Sequence, residues 1–421
     1  MNAKISKEQL EQTGTGRHQG WVERIAASDL AGWQCLTVRG GGRTRDCLVP
    51  DALVRQLDLT PQSVVRFEAV IDPAIGRPVA TDVELINRAL PLPTSIAEPD
   101  LFDLKHRHLH LRSAPLRAVA QFRHFIQKYA RDYLDGHGCY SVQTPILTEA
   151  SCVCSGDVFT FPYYGKRIAT LIQSPWMYAD ALTSGVERVY ALNPSFRRER
   201  NETNIHLVEI WQLQVDLAWA SNDDIMALEQ GLVQHIATRL RAQHQDLYEL
   251  AGLSSSHLDV FTRDFVRISY DESLERLKAL GHDLPYGSDY TQAQSDALSR
   301  SFDRPYFITQ FPKQLKNFWF PQLGKDTDLT PSNDLFAHTG QGEIIGGGER
   351  VHDLEQLIAN LHYYEHDLDE FDWFVDIRRY GCVPHAGFSV GFDRLVAMLM
   401  GVQDIRKATL IPRIPNGPLK P

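Results

Sequence analysis

The stretch "NPSFRRERNETNIHLVEIWQLQVDLAW", Asn193 to Trp219, holds an Arg-rich turn between two strand-like runs. From Leu207 to Leu217 the side chains alternate. Leu207, Glu209, Trp211, Leu213, Val215 and Leu217 share one face, and Ile210, Gln212, Gln214 and Asp216 share the other. The first face is mostly core. The second has three polar groups, and a polar row on a central strand is costly to bury unless it lines a wet cleft. The turn at residues 197–200 then hangs at the cleft's end, where guanidinium groups suit phosphate and carboxylate oxygens. Taken alone, the segment also fits a solvated hairpin tip.

Upstream, residues 1–88 carry the short runs "WQCLTVRG", "TRDCLVP", "VVRFEAVID" and "VATDVELI", separated by Gly, Pro and Asp turns, the pattern of a small β-barrel. Residues 89–104 are rich in proline and read as a linker, and residues 105–421 as a second domain. Val119, Phe122, Ile126, Tyr129 and Tyr133 predict an amphipathic helix leading into a strand, "YSVQTPIL". Ile225, Leu228, Leu232, Ile236 and Leu240 predict another, with Asn222 or Asp223 as N-cap. Strand-like runs separated by large sequence distances favour α+β with an antiparallel sheet over a βαβ alternation. In "HRHLHLR", His106, His108 and His110 fall on one face of a strand, a candidate metal site set against a plain basic arm.

The chain has 421 residues, 43% of them hydrophobic, enough for two or three domains with a large core. Its net charge of -10 argues against coating nucleic acid or an anionic membrane by bulk charge, so a polyanion site must be local. Cys35, Cys47, Cys139, Cys152, Cys154 and Cys382 form no paired CxxC spacing, which points to reduced thiols and not to structural zinc. The first residues lack an apolar run of signal-peptide length. The longest apolar stretch, "GFSVGFDRLVAMLMGV", is broken by Asp393 and Arg394, so a soluble cytoplasmic protein is expected.

Two further runs matter. Arg394 falls in the first turn of a helix after a Gly-rich strand, where a cation opposes the helix dipole and calls for an anionic partner. "GQGEIIGGGER" sets Glu343 and Arg350 on either side of three glycines that open the backbone to a ligand. With the first helix and its strand through Pro145, "FRRE" and the strand after it, "DIRRYGCVPHAGF" and "GFSVGFDRL", these runs resemble the class II aminoacyl-tRNA synthetases, most closely the asparaginyl-tRNA synthetase branch. The likeness is collinear over nearly the whole chain.

That resemblance implies an antiparallel sheet flanked by helices, preceded by an oligonucleotide-binding (OB) barrel, and a homodimer formed through the first helix and strand. It implies ATP bound in a bent form with Mg²⁺, and an acyl adenylate as product. Arg197 matches the clamp on α-phosphate and carboxylate, Glu199 an adenine contact, and Arg394 the γ-phosphate and adenine contact. His206 belongs to the same ATP site, as does Ile210, which replaces a Phe under adenine. Glu343 matches the metal-binding carboxylate, with Asp216 and Asp334 as partners; Asp334 is one residue further from Glu343 than the family spacing. Ser174 and Gln212 fall in the substrate pocket. Arg350 matches the arginine that reads the far carboxylate or amide of aspartate or asparagine.

Several positions depart from the family. Val153, Trp176 and Gln214 stand where the family grips the substrate's α-ammonium with acids and a glutamine, and Ala179 where aspartyl enzymes carry a lysine. Cys35 replaces an aromatic that stacks on an anticodon base, with Trp33 close by, and Ile205 replaces an arginine before His206. A buried ammonium without a carboxylate or several acceptors costs several kcal/mol. The leading expectation is therefore an ATP-dependent ligase that adenylates an atypical small carboxylic acid and passes it to an amine or hydroxyl, with asparagine a poor substrate. The alternatives are a working asparaginyl-tRNA synthetase that charges tRNA, and a non-catalytic binding paralogue.

Overall fold

The computed structural model describes residues 15–149, 158–198, 200, 202–324 and 326–420, in two compact units, Met1–Ser95 and Ile96–Pro421. In the first, strands β1 (Gly16–Ala27), β2 (Trp33–Gly40), β3 (Arg43–Pro50), β4 (Val64–Ile71) and β5 (Pro78–Asn87) close into a barrel in the order β1-β2-β3-β5-β4. Val22, Leu36, Val38, Val49, Val65 and Phe67 fill its interior, each burial contributing roughly 1.5–3 kcal/mol. Closure pairs the edges that an open sheet would expose. Cys35 and Trp33, two apart on β2, share a face and are each half-buried.

The second unit is built on an eight-stranded sheet. Its elements are helix α1 (Ala114–Gly136), β6 (Tyr140–Ser141), α2 (Trp176–Val186), β7 (Arg188–Phe196), β8 (Glu209–Ala218), α3 (Asn222–Gln243), β9 (Val266–Ser269), β10 (Tyr306–Thr309), β11 (Ser332–Phe336), β12 (Glu343–Arg350), α4 (Asp372–Arg379), β13 (His385–Gly391) and α5 (Phe392–Met400). The strand order is β9-β10-β11-β12-β13-β8-β7-β6, antiparallel through the centre and parallel at the two outermost pairs. The alternation in β8 is realised. Leu213, Val215 and Leu217 pack with Phe388 and Val390 against the buried stripes of α1 and α3, while Gln214 and Asp216 point the other way. The opposite face of the central sheet is thus left for a cleft.

Three local expectations are corrected. "YSVQTPIL" is not one strand: β6 pairs with β7 at Tyr140 and Ser141, and Leu147–Thr148 joins a separate three-stranded sheet, because Pro145 between them has no N–H for a ladder. "HRHLHLR" is helical, a 3₁₀ turn at Leu104–His106 running into Arg107–His110. Asp103 caps it by accepting from His106 N, and the fully buried Arg107 donates to the carbonyls of Leu101, Arg406, Thr409 and Leu410. His108 therefore leaves the side that His106 and His110 share, four residues apart. Helix α3 is capped by Ser221 in a reciprocal pair with Asp224, and not by Asn222 or Asp223. Among the described residues no helix is long and apolar enough to cross a membrane.

Candidate active site

A cavity of about 520 Å³ opens over the polar face of β8, β13, β12 and β11. Ser174, Trp176, Arg197, His206, Ile210, Gln212, Gln214, Asp334, Glu343, Arg350 and Arg394 all line it, although they come from segments more than 200 residues apart. Glu199 and Val153 lie outside the described residues.

One end of the cavity is cationic. Arg197 follows the last residue of β7, and its Nε is buried with no hydrogen-bond partner among the described residues. Arg394, in the first turn of α5, is held by donating from Nε to Ile205 O (3.0 Å) and from Nη1 to Glu343 O (2.8 Å). Between them His206 shares a 2.7 Å hydrogen bond with Thr203 Oγ1. Burial, then the charges of Arg394 and Arg197, push His206 down to about 4, so its imidazole is neutral near pH 7. The end can take an anion without a third cation.

In the middle, two acids meet over a glycine. A β-bulge between Leu335 and Phe336 sets Phe336 opposite Glu343 and turns Glu343 to the face of Asp334. A Cβ on Gly346 would come within 2.8 Å of Glu343 Oε1 and 3.3 Å of Asp334 Oδ1. Burial raises the Asp334 carboxyl to about 7, Lys316 opposes that rise, and the charge on Glu343 adds to it. Lys316 Nζ sits 2.7 and 2.8 Å from the two Asp334 oxygens and 3.9 Å from the centre of the Phe311 ring. Sequence reasoning passed over Lys316. Its signal was a lysine set just before the aromatic run "FWF".

Asp216 does not join this pair. It lies on β8, three strands away from Asp334 on β11, and its Oδ2 accepts from Gln214 Nε2 at 2.6 Å. Its Oδ1 fills the space a Cβ on Gly387 would need, 2.0 Å away. Asp216 as a metal partner is thus corrected, and among the described residues no group of three His, Cys, Asp or Glu could hold a metal ion.

The floor between the acids and β8 is polar but uncharged. The Gln214 amide gives its N–H to Asp216, and its oxygen takes no part in that bond. Gln214 Oε1, Gln212 Oε1 and Ser389 Oγ are all buried with no hydrogen-bond partner among the described residues. Gln214 and Ser389 are directly opposed across β8 and β13. Three unpartnered oxygens on one floor are a strong mark of a ligand with several donors, since each costs about 1–3 kcal/mol if left unmet.

The far end joins one cation to aromatic walls. Arg350, at the end of β12, is 4% exposed, with Nε 3.8 Å from Asp216 Oδ1 and its guanidinium carbon 5.3 Å from the Phe320 ring centre. Burial lifts the Asp216 acid to about 7 while Arg350 opposes the shift. Trp176 is packed at 4.3 Å on Trp319 and edge-on to Phe374 at 5.4 Å. Its ring belongs to a buried aromatic cluster and forms a wall, whereas the sequence had it filling the ammonium's place. Trp319 and Ser389 were also missed.

The family model for class II tRNA synthetases (D, K and N) matches residues 100–415. The asparagine–tRNA ligase of Desulforamulus reducens is 33% identical over 408 residues, covering 94% of each chain. That of Pyrococcus abyssi is 35% identical over 319 residues, covering 76% of this chain and 73% of its own. Among solved structures, asparaginyl-tRNA synthetase from Pyrococcus horikoshii complexed with asparaginyl-adenylate superimposes with a TM-score of 0.91 at 30% identity, covering 100% of both chains.

Proposed function

The chain belongs to the class II tRNA synthetases of the D, K and N group, in the asparaginyl branch, an ATP-dependent ligase family, and from that premise we propose that it joins asparagine to tRNA through asparaginyl adenylate. The observation that carries this reading is the set of three buried oxygens, Gln212 Oε1, Gln214 Oε1 and Ser389 Oγ, beside the Arg350–Asp216 pair. Three neutral acceptors can satisfy an ammonium's three donors, and Asp216 lends charge at one remove through the Gln214 amide. The Arg350 guanidinium, which lines the cavity, offers a donor to the oxygen of a carboxamide. The relatives' names and this floor favour the working synthetase over the atypical-acid ligase that the substitutions alone suggested.

In the proposed reaction a carboxylate oxygen of the amino acid attacks the α-phosphorus of ATP and pyrophosphate leaves. Arg197 draws the two anions together with its otherwise unpartnered donor, and Arg394 holds the outer phosphates and flanks adenine over Ile210. Neutral His206 adds a polar contact without competing charge. Glu343 and Asp334 fit a hard cation, since two carboxylates converge over Gly346 and Lys316 now supplies their counter-charge. They would hold Mg²⁺, which when bound neutralises phosphate charge. In the second half-reaction a ribose hydroxyl of tRNA attacks the acyl carbon and AMP leaves; half-buried Trp33 in the barrel is the aromatic proposed to stack on an anticodon base.

A second reading keeps the chemistry and changes the acid. It is favoured by Gln214 and Trp176, which put no carboxylate directly on the cavity floor where an ammonium would lie. Pyrophosphate exchange with asparagine against succinamate, its analogue without the amino group, separates the two. Asparagine should drive exchange at least 10-fold faster, about 1.4 kcal/mol, and charge tRNA. Faster exchange with succinamate would select the second reading.

Two further outcomes are expected. Arg394→Ala should weaken ATP use in exchange at least 10-fold, because the outer phosphates lose their anchor; an unaltered KM for ATP would remove Arg394 from the site. The protein should also sediment as a homodimer, since Tyr140 on β6 is 65% exposed and Leu147 and Ile168 on the separate three-stranded sheet are 48% and 56% exposed. A monomer at micromolar concentration would contradict this.

A further inference from the structure

Behind the far end of the cavity lies a buried ionic network that the reaction above does not use. Asp180, on α2, has no exposed surface, and its two oxygens face two basic side chains. Arg378 on α4 donates Nη1 to Oδ1 (3.0 Å) and Nη2 to Oδ2 (2.9 Å), and His385 Nε2 lies 3.0 Å from Oδ2. The guanidinium Nε goes to Val351 O at 2.8 Å, the carbonyl next after Arg350. His385 is itself the register partner of Arg350 across β12 and β13, and its Nδ1 is 2.8 Å from Val383 O. Despite burial, Arg378 and His385 hold the Asp180 carboxyl well below the usual range. Burial also works against a charged His385, yet the Asp180 charge and hydrogen bond push it up to about 10.

The same residues reach the aromatic wall. Asp180 is one turn beyond Trp176 on α2, and Phe374 is one turn before Arg378 on α4. The Arg378 guanidinium carbon lies 4.2 Å from the Phe374 ring centre, and Phe374 meets Trp176 edge-on at 5.4 Å. A closed circuit therefore runs from Trp176 through Asp180, Arg378 and Phe374 back to Trp176, with Val351 and His385 tying it to Arg350.

We propose that Asp180, Arg378 and His385 are positioning residues that set the gap between Trp176 and Arg350, and so decide which acid the pocket accepts. Arg378 Nη2 and His385 Nε2 lie 3.3 Å apart and both reach Asp180 Oδ2, so two basic groups this close and this buried depend on that shared carboxylate. An amide at position 180 offers one acceptor and one donor where two acceptors are required. His385 would then shed its proton, the Arg378 fork would lose one bond, and the hold on Val351 and the aromatic wall would loosen.

The proposal rests on the acid's far end lying at Arg350, and the test separates the two. In Asp180→Asn, the KM of the acid that drives exchange, asparagine or succinamate, should rise at least 10-fold while the KM for ATP changes less than twofold. The His385 ring, followed by NMR, should titrate below pH 8 in place of about 10. Arg378→Lys keeps the charge but loses the fork to Asp180 and the Nε bond to Val351 O; it should show the same split more weakly, and it decides the matter if the first variant does not fold. An unchanged KM for the acid with a shifted His385 titration overturns the proposal, as does an equal rise in both KM values. If Arg350→Met also leaves the acid's KM unchanged, the placement of the acid has failed and not the network.

Discussion

Replacing Arg197 with alanine is expected to slow asparagine-dependent pyrophosphate exchange by roughly 10²–10³-fold, the loss typical of removing one donor aimed at developing charge. The described residues give its buried Nε no acceptor, and such a donor is retained at a cost of about 1–3 kcal/mol unless a ligand repays it. The neighbours leave a role for it. Arg394 is tied to two carbonyls on the cavity rim, and His206 is kept neutral by burial and by both arginines. Arg197 is therefore the cation proposed to draw together the two negative reactants. Arg197→Lys should recover little, because an ammonium restores the charge but not the planar fork. Single-turnover formation of the adenylate measures the step directly. A loss below threefold would move the anion clamp elsewhere in the site.

How much of this site could be read from the chain depends on the range of each signal. The alternation from Leu207 to Leu217 is local, and it gave the cleft face, its polar row and its position on a central strand. Arg197, Glu343, Arg350 and Arg394 were legible because core packing seldom puts a charge at a strand end or beside a run of glycines. Where two periodicities fit a short run, the pattern misled: the alternating histidines of "HRHLHLR" suit a strand as well as a helical turn, and the cap from Asp103 decided it. The bulge that turns Glu343 to the face of Asp334 leaves no mark in the sequence.

The acceptors now proposed for an ammonium were hidden for a related reason. The three unpartnered oxygens come from Gln212 and Gln214 on β8 and from Ser389 on β13, so no single segment displays the set. Counting substitutions one by one registered the loss of an acid at Gln214. It did not register that Asp216, two residues on, takes the amide's N–H and leaves its oxygen as an unpartnered acceptor. Asp216 was read as a metal partner for want of that contact.

That contact also frames the other large effect, the loss of Arg350. Arg350→Met keeps much of the side chain's volume against Trp176 and Phe320 while removing the charge 3.8 Å from Asp216. Breaking a buried pair in this way typically costs about 3–5 kcal/mol because one charge is left uncompensated. Asp216 has a way to relieve it. Burial already lifts its carboxyl to about 7 against the pull of Arg350, so without that pull the group takes up a proton and becomes neutral near pH 7. The fold should then survive, while a carboxamide in the pocket loses the donor to its oxygen. The kcat/KM for asparagine should fall by roughly 10³-fold, about 4 kcal/mol, with the KM for ATP unchanged because the phosphate end is intact. Selectivity matters as much as size. Because the substitution removes the guanidinium and neutralises Asp216 together, the ratio of asparagine to aspartate use should shift from that of the wild type. An Arg350→Met protein that still prefers asparagine over aspartate by the wild-type ratio would place the reading of the amide outside the Arg350–Asp216 pair.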